Sequence, residues 1–135
     1  MEIEVEGSAR SKKFVEEMLP SMVRQLGLEK SRKALLIRVK NETEGDEGIT
    51  IDLSKWTGAY LVILKPKRNL VQLGLTLAHE MVHVKQLARG TLKQMRSGHT
   101  WLGKMYSKKT PYLQMPWEIE AFSKQELILR RAFEE

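Results

Sequence analysis

The chain has 135 residues, a formal net charge of +6 at pH 7 and no cysteine. The absence of cysteine excludes disulfide bonds, thiolate metal ligands and a cysteine nucleophile, which leaves histidine, aspartate and glutamate as the strong ligands. A chain of this length predicts a single domain over residues 1–135, large enough to bury a hydrophobic core without covalent cross-links.

The distribution of charge and apolar residues limits the partners. Residues 53–117 carry eleven lysines and arginines and a single acid, Glu80. This basic region could bind an acidic partner or nucleic acid, or it could be an ordinary solvated basic face. No apolar run approaches the roughly 18 residues of a membrane span, and Met1–Glu6 is too acidic for a signal peptide. We therefore expect a cytoplasmic protein without membrane attachment.

The first half of the chain predicts a helix and several strands. Residues 1–7 alternate apolar and acidic side chains, which predicts a short strand or an arm. A helical period begins at Ser11 and closes at Gly27, and Pro20 should kink or split that helix. Strands are then predicted at Ala34–Val39, Ile49–Leu53 and Ala59–Leu64. Because their connections have hairpin lengths, we expect consecutive strands to be antiparallel neighbours.

The next helix carries the most informative motif. Asn69 is a predicted N-cap and Gly90 a predicted C-terminal stop, with an apolar stripe between them. Within this helix stands His79-Glu80-Met81-Val82-His83, a His-Glu-x-x-His motif. The spacing puts both imidazoles on one face, where a zinc ion can bridge them while Glu80 reaches a metal-activated water. A buried helix with two merely hydrogen-bonded histidines is the alternative structural interpretation.

A catalytic zinc usually takes three protein ligands, so a third ligand must follow His83. The candidates are His99, Glu118 and Glu120. On a helix that begins near Pro116, Glu118 falls in the middle of the apolar face, while Glu120 points about 160° away towards solvent. A carboxylate on an apolar face needs a partner, and a metal ion is one. Residues 91–114, between the two helices, predict a loop or a short hairpin.

Three blocks together resemble a known family: His79 to His83, Trp101-x-Gly103-Lys104-x-Tyr106, and Pro116-Trp117-Glu118-Ile119-Glu120-Ala121. They are similar to small metallopeptidases common in phage genomes and to the minigluzincins, which are minimal zincins. The resemblance implies a zinc peptidase with ligands His79, His83 and Glu118 and with Glu80 as general base. If the chain is phage-encoded, its location would be the host cytoplasm or the virion.

The resemblance also implies the fold. We expect an α+β, minimal zincin-like domain with a small antiparallel or mixed sheet of three to four strands. That sheet would pack on the N-terminal helix and the His-Glu-x-x-His helix, and a C-terminal helix would supply the glutamate. The strand Ala59–Leu64 could then be the edge beside which an extended substrate pairs, with an ordinary interior strand as the alternative.

A second resemblance gives a different ligand. The motif followed by Arg96-Ser97-Gly98-His99 is similar to the SprT and Spartan proteases, which act on proteins crosslinked to DNA, and it implies His99 as the third ligand. A non-catalytic zinc-binding module or a virion structural protein is a further alternative.

The predicted reaction is hydrolysis of a peptide bond in a protein or peptide substrate. Zn²⁺ is the expected cofactor, and Glu80 would take a proton from the attacking water and pass it to the leaving amine. The oxyanion that forms needs a donor besides the metal, and Tyr106 and Tyr112 are the candidates because a phenol donates without carrying charge. Trp101 and Trp117 are expected to pack around the site.

Overall fold

A computed structural model describes residues 1–135 as an α+β fold with two sheets, which confirms the predicted fold class. Four helices are present: α1 (Ala9–Gln25), α2 (Ser54–Thr57), α3 (Leu70–Arg89) and α4 (Pro116–Glu134). The first sheet contains β1 (Glu2–Glu6), β2 (Ala34–Val39), β3 (Gly48–Leu53) and β4 (Ala59–Leu64). The second contains β5 (Leu92–Met95), β6 (Gly98–Trp101) and β7 (Lys104–Ser107).

The four-stranded sheet is mixed, with strand order β1-β2-β4-β3. Strands β1, β2 and β4 run parallel, and only β3 runs antiparallel, against β4. The prediction that all consecutive strands are antiparallel neighbours is therefore wrong for β2 and β3, which do not pair. The loop at residues 40–47 carries the chain past the position of β4, and β4 then returns between them. Local pattern cannot encode this order, because β4 buries its apolar residues equally well in an interior position.

The strand order places the open edge of the sheet at a different strand from the predicted one. Strand β4 is interior, so the expectation that Ala59–Leu64 is an edge for substrate is wrong. The open edge beside the candidate site is β3, whose half-exposed positions include Asp52. Its Thr50 side chain faces α3, where it reaches Glu80.

Helix α1 covers the sheet as one continuous helix. Its N-cap is Ser8, whose side chain accepts a hydrogen bond from the backbone N–H of Ser11. Pro20 lies inside the helix without splitting it, contrary to the prediction that it could divide the segment. The buried face, which includes Phe14, Leu19 and Met22, packs into the core and outweighs the missing hydrogen bond at the exposed proline.

Helix α3 forms the centre of the molecule and begins and ends where the sequence predicts. The Asn69 side chain accepts hydrogen bonds from the backbone N–H groups of Val71 and Gln72, and Gly90 closes the helix with a left-handed φ of 77°. The middle of the helix, from Leu77 to Val84, is entirely buried between β3, α1 and α4. None of the helices combines the length and apolar character that crossing a bilayer requires.

Residues 92–107 form the three-stranded antiparallel sheet β5-β6-β7, which is more regular than the predicted loop or short hairpin. Gly98 opens β6 with φ 151°, and a Cβ built there would stand 2.3 Å from the carbonyl oxygen of Tyr106. Only glycine allows this approach of β6 to β7. The polar, weakly patterned strands explain why periodicity alone does not predict the sheet.

Candidate metal centre

The two motif histidines lie one helical turn apart on α3 and face the same cavity. Both residues are almost fully buried, with 7% exposure for His79 and 6% for His83. The ring centroids are 4.9 Å apart and the planes are nearly perpendicular, at 83°. This arrangement follows from the four-residue spacing, because the i and i+4 side chains of a helix stack on one face.

Glu118 reaches both histidines from the first turn of α4. Its Oε1 atom lies 2.8 Å from Nε2 of His79 and 3.1 Å from Nε2 of His83. Pro116 occupies the start of the helix, where its missing N–H costs nothing, so that the first turn presents Glu118 to α3. The structure therefore brings together the two histidines and the glutamate that the apolar face of α4 singles out.

Side-chain amides hold the other nitrogen of each imidazole ring. The Nδ1 atom of His83 lies 2.8 Å from Oε1 of Gln86, and Nδ1 of His79 lies 2.8 Å from Oε1 of Gln125. The amide nitrogen of Gln86 donates to the carbonyl oxygen of Trp117 and to Oε1 of Glu120, which fixes the orientation of this amide. Because an amide oxygen only accepts, Nδ1 of His83 must carry the proton.

In the neutral ring, this tautomer leaves the Nε2 lone pair of His83 pointing at the carboxylate of Glu118. Two electron-rich atoms 3.1 Å apart repel each other unless a proton or a metal cation lies between them. The imidazole nitrogens of His79 and His83 and a carboxylate oxygen of Glu80 also lie within 4.8 Å of one another. The donor set, two imidazoles and a carboxylate, is the one zinc takes in many hydrolytic sites, so these residues fit a zinc ion.

Glu80 stands beside the histidines but is held by a different partner. The hydroxyl of Thr50 on β3 donates to Oε1 of Glu80 at 2.7 Å, and Glu80 is only 5% exposed. Burial raises the pKa of Glu80, and this outweighs the opposing effects of His83 and of the Thr50 hydrogen bond. A carboxylate with a raised pKa, near a cation site, is suited to accept and release a proton near neutral pH.

The negative charge of Glu118 and the positive charge of protonated His83 stabilise each other. Burial alone would raise the pKa of Glu118, but hydrogen bonds from His79 and His83 outweigh it and hold the pKa at about 2. Burial lowers the pKa of His83, yet the carboxylates of Glu118 and Glu80 reverse that effect, so that the net shift is upward. The ionised carboxylate of Glu118 therefore favours a positive charge at the two imidazole rings, which a bound metal ion could supply in place of a proton.

The two predicted oxyanion donors occupy different positions. The hydroxyl of Tyr112 donates to Oε1 of Glu118 at 2.9 Å, and the ring lines the cleft. Tyr106 instead packs edge-on against Trp117, with ring centroids 5.5 Å apart, and does not line the cleft. The structure thus brings Tyr112, and not Tyr106, to the candidate centre.

The alternative ligands lie away from the cluster. The ring of His99 stacks on Trp117 at 5.1 Å and contacts neither motif histidine. Glu120, expected to be solvated, is half-buried, accepts a hydrogen bond from Gln86 and pairs with Lys124. Glu120 therefore supports His83 indirectly, through Gln86, and its side chain does not join the cation site. Trp117 is buried, and Trp101 packs against the core.

An open cleft of about 650 Å³ leads to the centre. One wall is β3 with the preceding loop, and the floor is α3. Residues of this lining beyond the centre itself include Gly45, Glu47, Leu75, Gln94 and His99. A substrate larger than a single residue can therefore reach the cluster from solvent.

Sequence reasoning missed three polar supports of the centre: Gln86, Gln125 and Thr50. Gln86 had a signal, since a glutamine at the third position after a motif histidine can contact the same ring. Gln125 stands seven residues after Glu118, on the same face of α4, and could have been found in the same way. Thr50 had no local signal, because its contact to Glu80 depends on the order of the strands.

Comparison with models of known protein families, with curated proteins and with solved structures finds no significant match to this chain. The geometry of the centre and the residues that form it are therefore the evidence for a function.

Proposed function

We propose that the chain is a zinc-dependent peptidase with ligands His79, His83 and Glu118 and with Glu80 as general base. The observation that carries the proposal is the convergence of the Nε2 atoms of both imidazole rings on one carboxylate oxygen of Glu118, at 2.8 and 3.1 Å. Glu80 lies next to that point, is tied to Thr50 and makes no hydrogen bond to either histidine. A site that only binds a metal ion does not require a further buried carboxylate with a raised pKa, such as that of Glu80.

The residues have separate tasks in this reaction. A bound Zn²⁺ would polarise the scissile carbonyl and lower the pKa of a coordinated water towards about 7. Glu80 accepts the proton of the attacking water and transfers it to the leaving amine. Tyr112, whose hydroxyl already reaches Glu118, donates a hydrogen bond to the developing oxyanion. Gln86 and Gln125 hold the histidine rings in the ligating orientation.

Strand β3 is the proposed support for the substrate backbone. It is an edge strand, it lines the cleft, and its Thr50 contacts the general base. A peptide that adds to this edge would be extended and would pass directly over Glu80. Strand β3 approaches α3 closely at Gly48, because a Cβ there would stand 3.0 Å from Cγ of Glu80.

The proposal is tested with Glu80→Gln, which removes the base and keeps the ligands. We expect hydrolysis of a peptide mixture to fall by at least roughly 100-fold, the usual contribution of a general base, while bound zinc is unchanged. If the wild-type protein binds zinc but hydrolyses nothing, and Glu80→Gln behaves identically, the centre is a structural zinc module instead.

Basic side chains beside the centre favour an acidic partner as a second proposal. Lys93, Arg96, Lys104, Lys108 and Lys109 lie on or next to β5-β7, and all are exposed. None of them forms an ion pair, because nearly all exposed acids of the chain lie elsewhere. Binding of single-stranded DNA, or of an acidic peptide, that weakens with salt would support this surface as a docking site.

A further inference from the structure

The free edge of β3 is partly occupied by a side chain of the chain itself. Strand β3 pairs with β4 through its odd-numbered residues, as shown by the hydrogen bond from the Lys65 N–H to the Glu47 carbonyl at 2.9 Å. Because antiparallel pairing alternates, the backbone groups of Gly48, Thr50 and Asp52 point outward from the sheet. These are the groups that an added peptide strand would use.

Gln94 of β5 already bonds two of these groups. Its Oε1 accepts from the backbone N–H of Asp52 at 2.9 Å, and its amide nitrogen donates to the carbonyl of Thr50 at 2.8 Å. The glutamine amide thus imitates one residue of a neighbouring strand. The outward groups of Gly48 and the N–H of Thr50 lie beyond its reach and remain open to the cleft.

The spacing leaves no room for a peptide between β3 and β5 at this point. Neighbouring strands lie about 4.8 Å apart, so a chain inserted between two strands needs roughly 9.6 Å. A glutamine side chain extends about 5 Å from its Cα, and its hydrogen bond to Asp52 adds 2.9 Å. The Cα of Gln94 therefore lies closer to the backbone of β3 than the separation that an inserted strand needs. Strand β5 therefore forms a wall across the edge of β3.

The wall stands close to the reacting atoms. Thr50, whose carbonyl meets Gln94, contacts Glu80 through its side chain at 2.7 Å. At about 3.3 Å per extended residue, only about two residues fit between the general base and the wall. In the opposite direction the cleft continues past Gly48, along Gly45, Glu47 and Leu75.

We propose that Gln94 and β5 close the peptide groove at the Asp52 end, so that the enzyme accepts only a short segment on the amino side of the scissile bond. This inference rests on the proposed peptidase function. The direction follows because antiparallel addition is the more stable pairing and places the amino end of a peptide beside Asp52. The substrate class is then peptides cleaved near their amino terminus, with no limit on the length of the carboxyl side.

The first test uses wild-type protein with zinc and a peptide series around one scissile bond, with one to six residues on either side. We expect kcat/KM to fall roughly tenfold or more beyond about two residues on the amino side, because two hydrogen bonds must be displaced. Extension of the carboxyl side should have little effect. Equal hydrolysis across both series, or a limit on the carboxyl side, would overturn the proposal.

Gln94→Ala removes the two hydrogen bonds to β3, with Met95→Ala, an exposed residue of the same strand, as the matched control. Relative hydrolysis of the amino-extended peptide should rise roughly fivefold in Gln94→Ala, the effect of about one net hydrogen bond, and stay unchanged in Met95→Ala. An unchanged length preference in Gln94→Ala, in a folded and active variant, would contradict the role of Gln94.

A second measurement does not depend on activity. Amide hydrogen exchange should show Asp52 protected in the wild type and in Met95→Ala, and unprotected in Gln94→Ala, while Thr50 exchanges freely in all three. Fast exchange at Asp52 in the wild type would overturn the closure of the groove. Absence of both zinc and hydrolysis would instead refute the peptidase function, so the two failures are distinguishable.

Discussion

Gln86 fixes the ring of His83: its Oε1 lies 2.8 Å from Nδ1, and its amide nitrogen is bonded to the carbonyl of Trp117 and to Glu120. The glutamine is only 2% exposed and links the helix that carries the histidines to the helix that carries Glu118. It therefore sets both the tautomer of the histidine and the distance between the two halves of the centre.

Gln86→Leu should weaken zinc binding by roughly 10- to 100-fold, because it removes the partner that orients His83 and the hydrogen bonds to the carbonyl of Trp117 and to Glu120. Gln125→Leu should have a smaller effect, since this half-buried glutamine makes one contact to the centre. Zinc titration against a chromogenic chelator checks both. Equal affinity in wild type and Gln86→Leu would contradict the positioning role.

Thr50 should control the pH dependence of hydrolysis. Burial raises the pKa of Glu80, and the hydrogen bond from Thr50 opposes part of that rise. Thr50→Val removes the hydroxyl at constant shape, so that the pKa of Glu80 rises further and the acidic limb of the kcat/KM profile moves to higher pH. Thr50→Ser keeps the donor and should leave the limb near its wild-type position. A profile that is the same in all three proteins would remove Thr50 from this role.

Glu80→Gln should stabilise the metal-free protein at neutral pH. Because burial raises the pKa of Glu80, the folded state binds its proton more tightly than the unfolded state does. The stability this contributes is present below the unfolded value of 4.5 and is lost as pH rises through the folded pKa. The substituted amide carries no charge at any pH, so the free energy of unfolding at pH 8 should rise.

Glu118→Gln supplies the control of opposite sign. The pKa of Glu118 is lowered to about 2, so its stabilisation is present above 4.5 and is lost as pH falls towards 2. This variant should destabilise the metal-free protein at neutral pH. Urea denaturation in chelator at pH 4.5 to 8 measures both variants, and a destabilised Glu80→Gln at pH 8 would contradict the account.

Tyr112→Phe should lower kcat by roughly 10- to 100-fold with little change in KM, as expected for a hydrogen bond made mainly in the transition state. Tyr106→Phe is the matched control, because its ring packs on Trp117 and does not line the cleft. Steady-state kinetics with one peptide substrate compares the two. Equal loss in both variants, or in neither, would exclude Tyr112 as the oxyanion donor.

Local signals predicted the parts of the structure that depend on neighbours in sequence. The caps at Asn69 and Gly90 delimit α3 as expected, and the spacing of His79 and His83 gives one shared face. The apolar face of α4 also distinguishes Glu118 from Glu120 before any contact is known. These features follow from the helical period alone.

The order of the strands could not be predicted, because it depends on contacts between distant segments. The return of β4 between β2 and β3 decides which strand is the edge, and hence that Thr50 meets Glu80 and Gln94 meets Asp52. No periodicity in the sequence encodes those contacts. Of the three supports of the centre that were missed, only Thr50 depends on this strand order, whereas Gln86 and Gln125 lie at helical spacing from a ligand on their own helices.

The central claim is that His79, His83 and Glu118 together hold one divalent metal ion. Elemental analysis of purified wild type beside Glu118→Ala, His83→Ala and His99→Ala tests it most directly. We predict one zinc per chain in the wild type and in His99→Ala, and loss of zinc in Glu118→Ala and His83→Ala, with folding checked by circular dichroism. Full zinc in Glu118→Ala together with its loss in His99→Ala, or no bound metal in the wild type, would contradict the claim.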